Sequence, residues 1–141
     1  MNRLYGLIGF PLGHSFSARY FTEKFQRENL SGYEYRNFPL ESIRELPAML
    51  ENHPGLLGFN VTIPYKQEVI PFLTALSAEA REIGAVNCVK ITPQGLYGHN
   101  TDAYGFRKSL LGLIGPMRPD ALILGTGGAS KAVGYVLREL G

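Results

Sequence analysis

Short apolar runs closed by glycine or proline alternate with stretches of helical periodicity along this chain. Residues 4–10 (LYGLIGF) are apolar and end at Pro11 and Gly13, which predicts a buried first strand. A helix is expected from about Phe16, with Phe21 and Phe25 on its face and Ser31-Gly32 as its stop. Residues 33–38 (YEYRNF) alternate and predict a second strand. Residues 40–50 predict an amphipathic helix interrupted at Pro47, and residues 56–63 a third strand. After Pro64 a new helix is expected, with Lys66 in its first turn. Another helix is expected from near Thr74 to Gly84. Residues 85–91 and 96–100 read as two strands of a hairpin joined by TPQG. Ala103, Phe106, Leu110 and Leu113 then recur at the spacing of one helix face. GPMRP, residues 115–119, breaks that pattern, and ALILG followed by GGASKAVGYVLREL reads as a strand, a glycine-rich turn and a helix.

Strands that alternate with helices predict an α/β fold with a mainly parallel open sheet. The break at 115–119 divides the chain into residues 1–100, a linking helix and loop at 101–119, and a final βα unit at 120–141. A single βα unit cannot bury its own faces. It is expected to continue in a longer protein, or to pack on the first unit or on another chain.

Composition narrows the class. At 141 residues and 45% hydrophobic, the chain can build one core or one domain and part of a second. A formal charge of +2 with no basic block argues against nucleic acid as a partner. The single cysteine, Cys88, excludes an internal disulfide framework, fits a reducing cytoplasm, and is too little for a structural zinc site. No apolar run reaches the ~18 residues of a membrane span.

Five stretches carry candidate chemistry. In GHSFS, Ser15 and Ser17 share one side of an extended loop, so they either grip a carboxylate or diol, or one of them caps the following helix. In NVTIPYK, Asn60 and Thr62 share a strand face that looks to solvent or to a cleft. Lys66 at a helix start would meet an unfavourable macrodipole, which a surface lysine tolerates at small cost. Asn87, in GAVN, is a turn residue or a ligand group. In GHNTDAYGF, Asn100 or Thr101 can cap a helix whose first turn suits Asp102. In LGTGGASKAV, the turn Gly125, Gly127, Gly128, Ala129 opens a helix whose N–H groups can face a phosphate, or else serves packing alone. His14 and His99 have no partner at metal spacing, and no metal site is expected.

Taken in order, these stretches resemble the shikimate dehydrogenase family, over essentially the whole chain. The resemblance implies an NADPH-dependent, reversible reduction of 3-dehydroshikimate to shikimate in aromatic amino-acid biosynthesis. Residues 1–100 would be a substrate-binding domain, and residues 120–141 the start of an NADP-binding Rossmann domain. Ser15 and Ser17 would hold the substrate carboxylate. Asn60, Thr62, Asn87 and Asp102 would bind ring hydroxyls, and Lys66 and Asp102 would be the catalytic pair. Gly125, Gly127, Gly128 and Ala129 would face the cofactor pyrophosphate. The chain departs from the family pattern at Ala18, where a proline usually follows the second serine, and at Cys88, where threonine usually follows the asparagine. Family members are much longer, so the chain is expected to be a fragment, inactive alone, with self-association or disorder after about Pro119. The alternatives are a non-catalytic module that binds a polyhydroxylated cyclic carboxylate, and a quinate/shikimate dehydrogenase that uses NAD.

Overall fold

The computed structural model describes residues 3–13 and 15–141; His14, given no role above, lies outside the described residues. Among the described residues six strands form one sheet, in the order β2-β1-β3-β5-β6-β4. They are β1 (Arg3–Gly9), β2 (Tyr33–Pro39), β3 (Leu56–Val61), β4 (Ala75–Leu76), β5 (Cys88–Thr92) and β6 (Gly95–His99). β1 pairs in parallel with β2 and β3, and β4 with β6. β5 runs antiparallel to both β3 and β6. The fold is therefore α/β with a mixed, mostly parallel sheet. The β5–β6 hairpin turns through TPQG as its turn residues require.

Among the described residues there are five α-helices: α1 (Ser17–Arg27), α2 (Leu46–Asn52), α3 (Ala78–Ile83), α4 (Asp102–Ile114) and α5 (Gly128–Leu140). Two faces of the sheet are covered differently. On one, Ile8, Phe38, Leu46, Phe59, Val61, Val69, Val86 and Val89 form the main core with the α2 side of the molecule. On the other, Phe21 and Phe25 of α1 pack on Leu7 and Tyr35. Strand alternation makes this division, since Leu7 and Ile8 point to opposite faces.

Gly58 shows how tightly the ladder is built. A Cβ there would lie 2.8 Å from the Val89 carbonyl oxygen, in the neighbouring strand β5. Backbone held by ladder bonds cannot step aside as a side chain can. Gly58→Ala is expected to cost about 1–3 kcal/mol, read as a shift in the urea unfolding midpoint.

Several expected elements form differently. No helix starts at Lys66. Residues 63–69 are successive turns, because the Lys66 carbonyl accepts the Val86 N–H at 2.7 Å, while the Ile70 N–H bonds to Gln67 at 3.2 Å. Pro47 does not interrupt a helix but stands in the first turn of α2, where its missing N–H costs nothing. The helix expected from Thr74 starts at Ala78, after the Ser77 cap, whose hydroxyl accepts the Ala80 N–H. Residues 74–77 instead bond to β6, through Thr74 N–H to Leu96 and Ser77 N–H to Gly98. Finally, residues 121–125 form no strand, because no sheet edge among the described residues lies beside them. Leu122 and Leu124 are exposed. The helix that follows is formed: Ala132, Tyr135 and Val136 of α5 pack on Ile83, Ala85 and Ala103.

Candidate active site

The parallel strands end together, and the polar ends of β3, the β5 entry and α4 converge there. Val61 N–H donates to the Asn87 carbonyl, which brings Asn87 beside Asn60. The Asn60 amide adds a second bond to that carbonyl at 3.3 Å. Asn100 is buried and holds the turn into α4. It donates to the Ala85 carbonyl at 2.9 Å and accepts the Ala103 N–H at 3.2 Å. Of the two possible caps of α4, the side chain of Asn100 makes the bond, and the Thr101 side chain makes none to the helix. Asp102 is thereby fixed as the first residue of α4.

Asp102 uses both carboxylate oxygens. Lys66 Nζ donates to Oδ2 at 2.7 Å and Asn87 Nδ2 to Oδ1 at 2.9 Å. The Asn87 amide orientation follows from its neighbours. The Thr101 N–H donates to Asn87 Oδ1 at 2.8 Å, so the NH2 group is left to face Asp102. Lys66 is mostly shielded and Asp102 one-third exposed, with side-chain exposures of 16% and 33%. An ammonium held this way is a fixed cation that can give a proton to an oxygen placed against it.

On the α1 side of the sheet, Tyr35 donates from its hydroxyl to Asn60 Oδ1 at 2.8 Å. Phe21 stacks on the Tyr35 ring at 4.5 Å and fixes its direction. Burial pushes the Tyr35 hydroxyl well above the usual phenol range; Cys88 adds to the rise and Ser17 opposes it. Tyr35 is therefore a neutral donor at all ordinary pH values. Burial also pushes the Cys88 thiol up, and the strand register sets Cys88 opposite Asn60 on one side and His99 on the other. Ser17 opens α1, and its N–H points to Ser15 Oγ at 3.4 Å, so the serines lie together beside Tyr35 and Asn60. The Thr62 methyl seats against Gly9, where a Cβ would approach to 2.4 Å. A cavity of about 360 Å³ lined by Tyr5, Phe21, Phe25, Tyr33, Tyr35 and Leu57 borders Asn60 and Cys88, on the α1 side of the sheet.

Asn60, Lys66, Asn87 and Asp102 thus form one bonded group, with Thr62 two residues along β3 from Asn60. Ser17, whose N–H lies by Ser15 Oγ, stands near Tyr35, which bonds to Asn60. Sequence reasoning missed Tyr35 as a site residue. The available signal was the alternation of β2, which puts Tyr33, Tyr35 and Asn37 on one face.

The glycine turn suits an anion. Gly125 has φ of 125°, which an L side chain would strain, and open space faces Gly125 and Gly127. The thirteen-residue helix α5 starts at this turn without a side-chain cap, which leaves its first N–H groups available to an anion. Thr126, Ser130, Lys131 and Arg138 line the adjoining hollow. These residues fit a pyrophosphate. Among the described residues no group of three or more His, Cys, Asp or Glu side chains is placed to hold a metal ion. No described helix is long and apolar enough to cross a membrane.

Known proteins resemble the chain along its length. A shikimate dehydrogenase (NADP(+)) of Aquifex aeolicus is 42% identical over 99% of this chain and 52% of its own. Its crystal structure superposes with a TM-score of 0.87 and covers 53% of that chain. The Thermus thermophilus shikimate 5-dehydrogenase, solved with NADP(H) and shikimate, is 35% identical, with a TM-score of 0.86 over all of this chain and 53% of that one. A 5-ketofructose reductase of Gluconobacter sp. is 31% identical, with a TM-score of 0.83 over all of this chain and 51% of its own. The chain spans about half the length of the curated relatives it matches. Residues 7–89 match the model of the shikimate dehydrogenase substrate binding domain, and the chain belongs to that family.

Proposed function

We propose that these residues bind shikimate and 3-dehydroshikimate and supply the proton chemistry of their interconversion. The observation that carries this reading is the Lys66 Nζ–Asp102 Oδ2 contact of 2.7 Å, with Asn87 on the other carboxylate oxygen. Reduction of a ketone places negative charge on its oxygen. Lys66 would donate a proton there, and Asp102 would keep the ammonium aimed. In the reverse direction the amine would take that proton back. Ser15 and Ser17 would hold the substrate carboxylate, and Asn60, Thr62 and Asn87 would hold hydroxyls. NADPH, when bound, supplies the hydride; Gly125, Gly127, Gly128 and Ala129 would hold its pyrophosphate.

Residues 1–100 would then be the substrate domain, 101–119 the link, and 120–141 the first part of the cofactor domain. By themselves these 141 residues would bind substrate without turning it over, because the cofactor grip they provide is a single turn. Calorimetric titration with shikimate tests the reading. Saturable heat is expected, lost in Ser17→Ala/Asn87→Ala; no heat from the folded chain at millimolar ligand would overturn it. Titration with 5-ketofructose, which has no carboxylate for the serines, is expected to be far weaker.

Leu113 and Met117, at and just past the end of α4, and Leu122 and Leu124, in the segment after it, are each exposed. Exposed apolar side chains favour self-association. Sedimentation velocity is expected to show concentration-dependent association of the 141-residue chain, relieved by Leu122→Lys/Leu124→Lys.

A further inference from the structure

We propose that Gly128, the first residue of α5, is a positioning residue for Lys66. A Cβ built on Gly128 would lie 2.6 Å from Lys66 Cβ, 3.2 Å from Cδ and 3.4 Å from Cγ. The stem of the lysine therefore runs along the bare backbone of the glycine turn. Three anchors hold that stem. The Lys66 carbonyl is tied to the Val86 N–H at 2.7 Å, Nζ is tied to Asp102, and Gly128 closes the side between them.

The need for glycine here is not conformational. Gly128 is helical, and alanine would favour the helix if space allowed. The Gly128 Cβ would meet Lys66 near its own Cβ, close to the main chain, where a side chain has least freedom to turn away. One added methyl must shift either α5 or the lysine stem, and a shifted stem withdraws Nζ from Asp102. The turn read as the pyrophosphate cradle thus also sets where the proton donor points. A substitution in the cofactor turn should then change substrate binding with no cofactor present. That readout rests on Lys66 and Asp102 being the shikimate-binding pair.

The test uses the full chain without nucleotide. In the wild-type protein, NMR should show nuclear Overhauser contacts between Gly128 Hα and Lys66 Hβ; their absence overturns the proposal whether or not any variant folds. Gly128→Ala is expected to weaken shikimate binding about three- to fivefold, no more than loss of the lysine side chain does. Its crystal structure should show a lengthened Lys66–Asp102 contact. Gly112→Ala, a methyl added to α4 where nothing lies within 4 Å, should leave the affinity at the wild-type value. Wild-type affinity and an unchanged 2.7 Å contact in Gly128→Ala would overturn the proposal. If the wild-type chain takes up no shikimate, the substrate reading fails, and the contact length in Gly128→Ala still decides the role of Gly128.

Discussion

Lys66→Ala is expected to lower turnover by on the order of 10²–10⁴-fold while weakening shikimate binding about tenfold or less. The asymmetry follows from when the lysine is needed. Bound ketone carries little charge on its oxygen, so an ammonium against it adds modest ground-state affinity. Charge develops on that oxygen as the hydride arrives, and only then does a proton donor at hydrogen-bond distance lower the barrier. The measurement is steady-state shikimate oxidation with these residues joined to the cofactor half of a relative, set beside calorimetric affinity for the same variant. Equal losses in both would reduce Lys66 to a binding residue. Lys66→Arg should not restore turnover. A guanidinium keeps the charge but cannot be deprotonated, so it cannot take up the proton that oxidation releases.

The parts of this arrangement that were legible in the sequence are those whose signal is local. β1, β2 and the β5–β6 hairpin show in short alternating or apolar runs closed by glycine and proline. α4 shows in the spacing of Ala103, Phe106, Leu110 and Leu113. Asn60, Thr62, Asn87 and Asp102 could be read as polar residues at strand and helix ends, and Lys66 as one just past β3, but each alone also had a bland reading, and only the family resemblance joined them. What failed depended on distant backbone. Pro64 and the residues after it have helical composition, but the Lys66 carbonyl is taken by Val86, far along the chain. Residues 121–125 have strand composition, but a strand exists only with a neighbour to bond. The alternation of β2 gave the face of Tyr35 but not its partner, because Asn60 lies two strands away across β1. The macrodipole argument about Lys66 falls with the missing helix, and the ammonium is held by Asp102 instead.

Asp102→Asn, nearly isosteric, is expected to cost about 100-fold in turnover, and the loss should be partly reversed by adding Asn87→Asp. Asp102 accepts from two donors, Lys66 Nζ and Asn87 Nδ2. An amide has one acceptor oxygen, so the substituted side chain must turn its NH2 toward one of them. Asn87 cannot adjust, because the Thr101 N–H at 2.8 Å holds its oxygen. The new amide therefore either faces Asn87 with a donor against a donor, or faces the ammonium with one. With a carboxylate at position 87, both conflicts vanish. One of its oxygens still accepts the Thr101 N–H, the other accepts the NH2 of the new amide, and the amide oxygen faces Lys66. The negative charge moves one residue away from the lysine but stays within the group, so recovery should be incomplete. A double-mutant cycle on shikimate affinity is expected to give a coupling of about 1–3 kcal/mol between positions 87 and 102. Additive losses would mean that Asn87 and Asp102 act on the substrate separately, and that the shared hydrogen bond does not orient the lysine.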